Sequence, residues 1–254
     1  MQALTDAELV AASRVLIAKV DRSCKSWRFQ HDVNLALATA GLARAAGLLD
    51  QALDLAERPP SIGANILVRS AFECWLAGAW ALFGGHDATL GIETERIRNE
   101  LLLVTRNDLP ERATQHLDGQ SRVVTDAQDR LLGGSAPSSV KYEEMAKTLS
   151  GLIKEKTCDH EDADVLGIYD LFYRAHSTND AHPWKVLGQY LKEGGLGLRV
   201  EPFEPWRNPV HAIRSMSVYV GILGRWIDEA RGHSDPDWDA CVMALTELPP
   251  DQKA

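Results

Sequence analysis

Apolar residues along this chain recur at helical spacing from near its start. Leu9, Val10, Val15, Leu16, Ile17 and Val20 follow a period near 3.6, with Arg14, Lys19, Asp21 and Arg22 interspersed, and this predicts an amphipathic helix. Thr5 opens it, because its hydroxyl can accept the backbone N–H of Glu8 while Glu8 reaches back to the Thr5 backbone. An Ala/Leu-rich segment from about Asp32 to Glu57 predicts a second helix, whose small side chains permit close helix contact, and Pro59-Pro60 stops it.

The most apolar stretch runs from Ser61 to Asp87 and is long enough by count to cross a bilayer. Arg69 and Glu73 near its middle argue against that, since such charges are costly in lipid whereas a bundle can pair them internally. It reads as a central buried helix ended by Gly84-Gly85. Two more polar amphipathic segments follow, from Thr89 to Arg106 and from Pro110 to Leu132, and the run from Gly133 to Ser139 is the best candidate for a flexible connection. Further helices are predicted from Tyr142 to Lys156, Glu161 to Ser177 and Pro183 to Lys192. The segment 194–209 holds enough Gly and Pro to prevent a regular element and to form a flap over the bundle. A second strongly apolar helix spans Val210 to Ala230, and a short one Pro236 to Leu245. Neither sustained alternation nor an internal repeat is visible. The fold class expected is all-α, a single multi-helix domain over residues 1–254 with two central apolar helices.

Composition narrows the functional classes. With 254 residues a core forms without disulfide or metal staples, and 45% hydrophobic with 25% charged residues describes a globular chain. The net charge of −9 disfavours broad attraction to phosphate backbones or anionic membranes. Cys24, Cys74, Cys158 and Cys241 lie far apart with no C-x-x-C pair, so free thiols are expected. The acidic start of the chain is unlike a signal peptide, and the expected location is the cytoplasm.

Two constellations could carry chemistry. Arg69 and Glu73, four apart, share one helix face within ion-pair reach, and charge in an apolar helix calls for a structural network or a ligand. The segment from Ile168 to Trp184 concentrates Tyr169, Tyr173, Arg174, His176, Ser177, Thr178, Asp180 and His182 at a helix end. There His182 could act as general acid or base and Arg174 could stabilise an oxyanion or phosphate. The plainer alternative is a capped helix terminus. His211 and Arg214, early in the last long helix, are the further polar groups expected to face Arg69 and Glu73 across the bundle. Trp75, Trp80, Trp184, Trp206 and Trp226 either fill the core or line a cavity for a planar ligand. The run Cys158, His160, Asp162 and Asp164 contains zinc-competent side chains, but reads as the charged start of a helix. The common hydrolase, NTPase, di-iron and dinucleotide signatures are missing, and neither cofactor nor metal is called for.

An R-x-x-x-E helix (Arg69 to Glu73) followed by Tyr173-Arg174-Ala175-His176-Ser177 and His182-Pro183 resembles a family of uncharacterised bacterial all-helical proteins, with an R-x-x-x-E and a later Y-x-x-x-S-x-x-x-H-P motif. The resemblance covers roughly Ser61 to Pro183. Ser177 and His182 are five apart rather than four, so either Thr178 takes the serine place or a bulge realigns the histidine. Such proteins are distantly similar to the HEPN group of toxin–antitoxin and phage-defence systems, many of which cut RNA without metal through an R-x4–6-H motif. Arg174 and His182 have seven residues between them, and no pair in the chain meets that pattern. Three roles follow as expectations. The first is a binding protein in which Arg69, Glu73, Tyr173, Ser177, His211 and Arg214 recognise a small ligand or a protein partner, in a setting of bacterial stress or phage defence. The second is a metal-independent ribonuclease or toxin using Arg174 and His182, with RNA as substrate. The third is a structural helical protein without a site. A homodimer is compatible with the apolar helices, and no membrane partner is expected.

Overall fold

The computed structural model describes residues 5–29, 32–56, 62–107, 111–137, 140–157, 164–174, 191–194, 197–200 and 209–246. The chain is an all-α multi-helix bundle carrying one small β-hairpin. Helix α1 (Asp6–Ser26) starts on the capping box read from Thr5 and Glu8, with both reciprocal bonds made. α2 (Val33–Ala56) starts where the Asp32 carboxylate accepts the Leu35 N–H at 2.9 Å. α3 (Ile62–Arg106) comprises two helical segments, as the sequence predicts, that meet at a break at Gly85, where φ is 65° and ψ is −146°. α4 (Glu111–Leu132) turns back along the second half of α3, held there in part by Arg96 Nη2 donating to Gln120 Oε1 at 3.2 Å.

α5 (Tyr142–Lys156) matches its predicted span. α6 (Val165–Tyr169) begins later than expected, after Asp164 accepts the Gly167 N–H, and continues as a π-helical turn over Asp170–Arg174. The Gly/Pro-rich segment holds a regular element after all. Strands β1 (Leu191–Gly194) and β2 (Gly197–Val200) pair antiparallel, from Leu191 opposite Val200 to Gly194 opposite Gly197. Leu191 and Lys192 are thus strand, where the sequence predicted the end of a helix; the rest of that helix and residues 201–208 of the flap fall outside the described residues. α7 (Pro209–Ala230) and α8 (Asp237–Thr246) close the bundle.

The core is organised around α3 and α7, which run parallel. Trp75 Nε1 donates to the Tyr219 carbonyl at 2.8 Å, and Phe83 meets Trp226 edge-on further along. α2 lies antiparallel to α3, since Asn34 accepts from Thr89 while Gly41 faces Cys74 and Gly78. Gly41 and Gly78 allow that close approach: a Cβ on Gly41 would stand 2.7 Å from the Cys74 carbonyl oxygen and from the Gly78 Cα. α1 packs on α7 and α8, with Lys19 bonded to Asp235 at 2.6 Å and placed over the Trp238 ring. The Gly63–Arg106 part of α3 is long and apolar enough to cross a membrane by length and composition, yet 56% of its most apolar stretch is buried inside the protein.

Candidate functional site

Arg69 and Glu73 project from the first half of α3, one turn apart, and form the ion pair their spacing predicts. Arg69 Nε lies 3.2 Å from Glu73 Oε1, and the side chains are 22% and 25% exposed. They are therefore half-buried rather than enclosed, which corrects the expectation of a pair sealed in the core. The Arg69 Nε is shut off from solvent and its N–H does not line up on the carboxylate, so the contact is an ion pair without a well-formed hydrogen bond.

The second neighbour of Arg69 is aromatic. Its guanidinium carbon sits 4.5 Å from the centroid of Tyr173, which projects from the π-helical turn. Tyr173 stacks on Tyr169 at 5.0 Å and 15°, and Tyr142 from the first turn of α5 meets it edge-on at 5.4 Å. Beneath this group Phe72 stacks on Phe172 and Trp75, tying the cluster to the α3–α7 core. Three elements thus converge on Arg69 and Glu73: the α3 face itself, the π-helical turn and the start of α5.

Electrostatics follow from this setting. Burial pushes the Glu73 carboxyl above its ordinary value, with the attraction of Arg69 pulling the other way and losing. The Tyr142 phenol is pushed up to about 12, first by burial and then by the nearby Glu73 carboxylate, so it is a neutral hydroxyl at physiological pH. Burial also raises the Cys74 thiol, and so opposes thiolate formation beside the pair. These groups can orient and contact a ligand, but none of them is poised as a nucleophile.

Tyr142 also forms part of a cleft of about 730 Å³ between the start of α5, the loop before it, and α3, mostly the second half of that helix. Ala77, Ile92, Val140 and Met145 give it apolar walls, and Thr94, Glu95, Arg98 and Asn99 border it with polar groups. Arg96 reaches the same cleft, its guanidinium held by Glu93 at 2.9 Å and Glu100 at 2.8 Å. At the far end of α5, Lys156 Nζ donates to the Phe83 carbonyl at 2.6 Å, just ahead of the Gly85 break.

Of the predicted site residues, Arg69, Glu73 and Tyr173 come together. Ser177 and His182 lie outside the described residues, as does the Arg174 side chain, although its backbone ends the π-helical turn. Arg214 is corrected: its Nε donates to the Leu245 carbonyl at 2.5 Å, so it caps the C-terminal turn of α8 instead of facing the pair. His211 is exposed on the first turn of α7. Trp75, Trp80 and Trp226 are core, and none lines the cleft; Trp184 and Trp206 lie outside the described residues. Asp164 caps α6, in keeping with the helix-start reading of its acidic run, whose residues 158–163 are not among those described. Among the described residues no group of three or more His, Cys, Asp or Glu is placed to hold a metal.

Sequence reasoning missed Tyr142 as a site residue. Its one signal is a bulky aromatic at the first position of a helix, after a Gly/Ser linker, and nothing in the spacing links it to a helix seventy residues earlier. Comparison with protein-family models, with curated proteins and with solved structures finds no match to this chain.

Proposed function

We propose that this protein is a binding protein whose cleft between the start of α5 and α3 takes a small ligand. The single observation that carries this reading is the double placement of Tyr142, which lines the cleft and whose ring packs against Tyr173 of the Arg69–Glu73 cluster. The cluster thereby acts as a rigid backing that holds the wall aromatic, in line with the mostly preformed character of small-molecule sites. The paired state of Arg69 and Glu73 and the raised Tyr142 and Cys74 groups favour recognition over catalysis. The test is untargeted mass spectrometry of molecules released from the purified protein on denaturation. A bound molecule is expected with the parent chain and is expected to fall at least tenfold with Tyr142→Ala, circular dichroism serving as the fold control. A parent chain that carries nothing and takes up nothing from a metabolite extract refutes the reading.

A second reading, metal-independent RNA cleavage of the HEPN kind, draws on the π-helical turn that ends at Arg174, because π turns recur at functional sites. It requires His182 as proton carrier and Arg174 as phosphate partner, and the net charge of −9 weighs against it. Labelled RNA cut by the parent chain and spared by His182→Ala would support it; RNA left intact by the parent chain, or cut equally by both, would end it.

A further inference from the structure

We infer that the cleft beside Tyr142 selects an uncharged, mainly apolar small molecule; this rests on the ligand-binding reading above and narrows its chemistry. Both guanidinium groups at the cleft are already matched, Arg98 by Glu95 at 2.6 Å, and Arg96 by Glu93 and Glu100 with Gln120 as a further acceptor. Lys141, the third cation of the lining, is likewise engaged within the protein, so an anionic ligand would have to draw one of these groups from its present partner and leave a carboxylate facing the new negative charge. A cationic ligand meets the reverse difficulty. These pairs are partly exposed, the Arg98 side chain at 67% and that of Arg96 at 39%, so each exchange gains no net partner and the charged rim offers a ligand charge little.

The apolar side of the cleft points the same way. Ala77, Ile92, Val140 and Met145 present no side-chain donor or strong acceptor, so contact there is made by apolar surface. Tyr142 adds an aromatic residue to the lining, and its hydroxyl stays protonated at neutral pH, so it brings no phenolate charge. Thr94 and Asn99 add neutral polar groups at the border. The volume of about 730 Å³ falls within the ~300–1,000 Å³ of sites for single organic ligands. An aromatic or alicyclic body with one hydrogen-bond acceptor suits such walls.

The experiment uses the full chain and two dyes of similar aromatic size, the uncharged N-phenyl-1-naphthylamine and the anionic 8-anilinonaphthalene-1-sulfonate. The neutral dye is expected to show a saturable rise in emission with the parent protein, and its affinity is expected to fall tenfold or more in Ala77→Phe and in Thr94→Trp. Thr94 is exposed, so its substitution fills the cleft from the solvent side and remains informative if Ala77→Phe fails to fold. The sulfonate is expected to bind at least tenfold more weakly at this site. Sulfonate binding as tight as the neutral dye, and lost in Thr94→Trp, overturns the uncharged assignment but leaves ligand binding intact. Neutral-dye binding that ignores both substitutions also overturns it. Failure of both dyes, together with the absence of any copurified molecule, removes this inference and the binding reading together.

Discussion

The guanidinium of Arg69 meets a carboxylate through its Nε and an aromatic face through its plane, and it is this double engagement that fixes its stability role. Truncating Glu73 leaves the aromatic contact in place and opens the cation to some water, so the cost should fall between that of an exposed pair, ~0.2–1 kcal/mol, and that of a buried one, ~3–5 kcal/mol. For Glu73→Ala we expect about 1–2 kcal/mol, read as a lowered midpoint in urea titration. The pH behaviour has a definite sign. Folding raises the Glu73 pKa, so the folded state holds its proton more tightly than the unfolded one. The contribution of this residue is most favourable below the ordinary carboxylate pKa and is lost as pH rises through the raised value. Glu73→Gln should flatten that part of a Tm-versus-pH curve. The pair was legible in the sequence because i,i+4 geometry is local. Tyr142 was not, because its partners are brought by α3 and the π-helical turn; Arg214 was misassigned because helix periodicity sets a face without naming the neighbour that covers it.

Helix ends follow the same division. Thr5, Asp32 and the Gly133 turn mark their boundaries by local chemistry, and the sequence reading of those boundaries agrees with the structure to within a residue or so. The Gly84-Gly85 pair ends the apolar helix as the sequence predicts, since Gly85 holds non-helical angles; what the sequence does not show is that a second helix begins directly after it, with Ala88, Thr89 and Leu90 packed into the body. Gly85 holds backbone angles that side chains rarely adopt, and Gly85→Ala should cost about 1–3 kcal/mol in thermal or chemical denaturation. At the α2–α3 crossing the prediction is steric: Gly41→Ala places a methyl into the Cys74 carbonyl and should cost a similar ~1–3 kcal/mol by overpacking. The π-helical turn and the β-hairpin escaped sequence reading for one reason. Stacking of Tyr173 on Tyr169 accompanies the one and pairing across Gly194–Gly197 closes the other, and neither leaves a periodic hydrophobic signal.

Across the whole molecule, Lys19 joins the first helix to the turn before the last. Its side chain is 7% exposed and its main partner, Asp235, sits at 43%. Hydrogen bonding from Lys19 and from the Asp237 backbone holds the Asp235 carboxyl below its ordinary value. Its contribution is therefore present above the ordinary carboxylate pKa and lost as pH falls through the lowered one. Asp235→Asn should lower Tm at neutral pH and weaken its dependence on pH in the acid range, as followed by circular dichroism. Protection should also be uneven. Leu117 is the one buried hydrophobic residue of α4 among those described, whereas α2 and α7 are buried over much of their length. Amides of α4 should exchange with deuterium well before those of α2 and α7.

The parallel pairing of α3 with α7 joins residues far apart in the chain, Trp75 to Tyr219 being 144 positions distant. At the ~5–20 residues per second of a translating ribosome, the indole of Trp75 emerges roughly 7–30 s before the carbonyl that receives it. During that interval the side of α3 that faces α7 has no cover, so the nascent polypeptide is expected to engage chaperones. A prematurely terminated product ending ahead of Pro209 should accumulate in inclusion bodies.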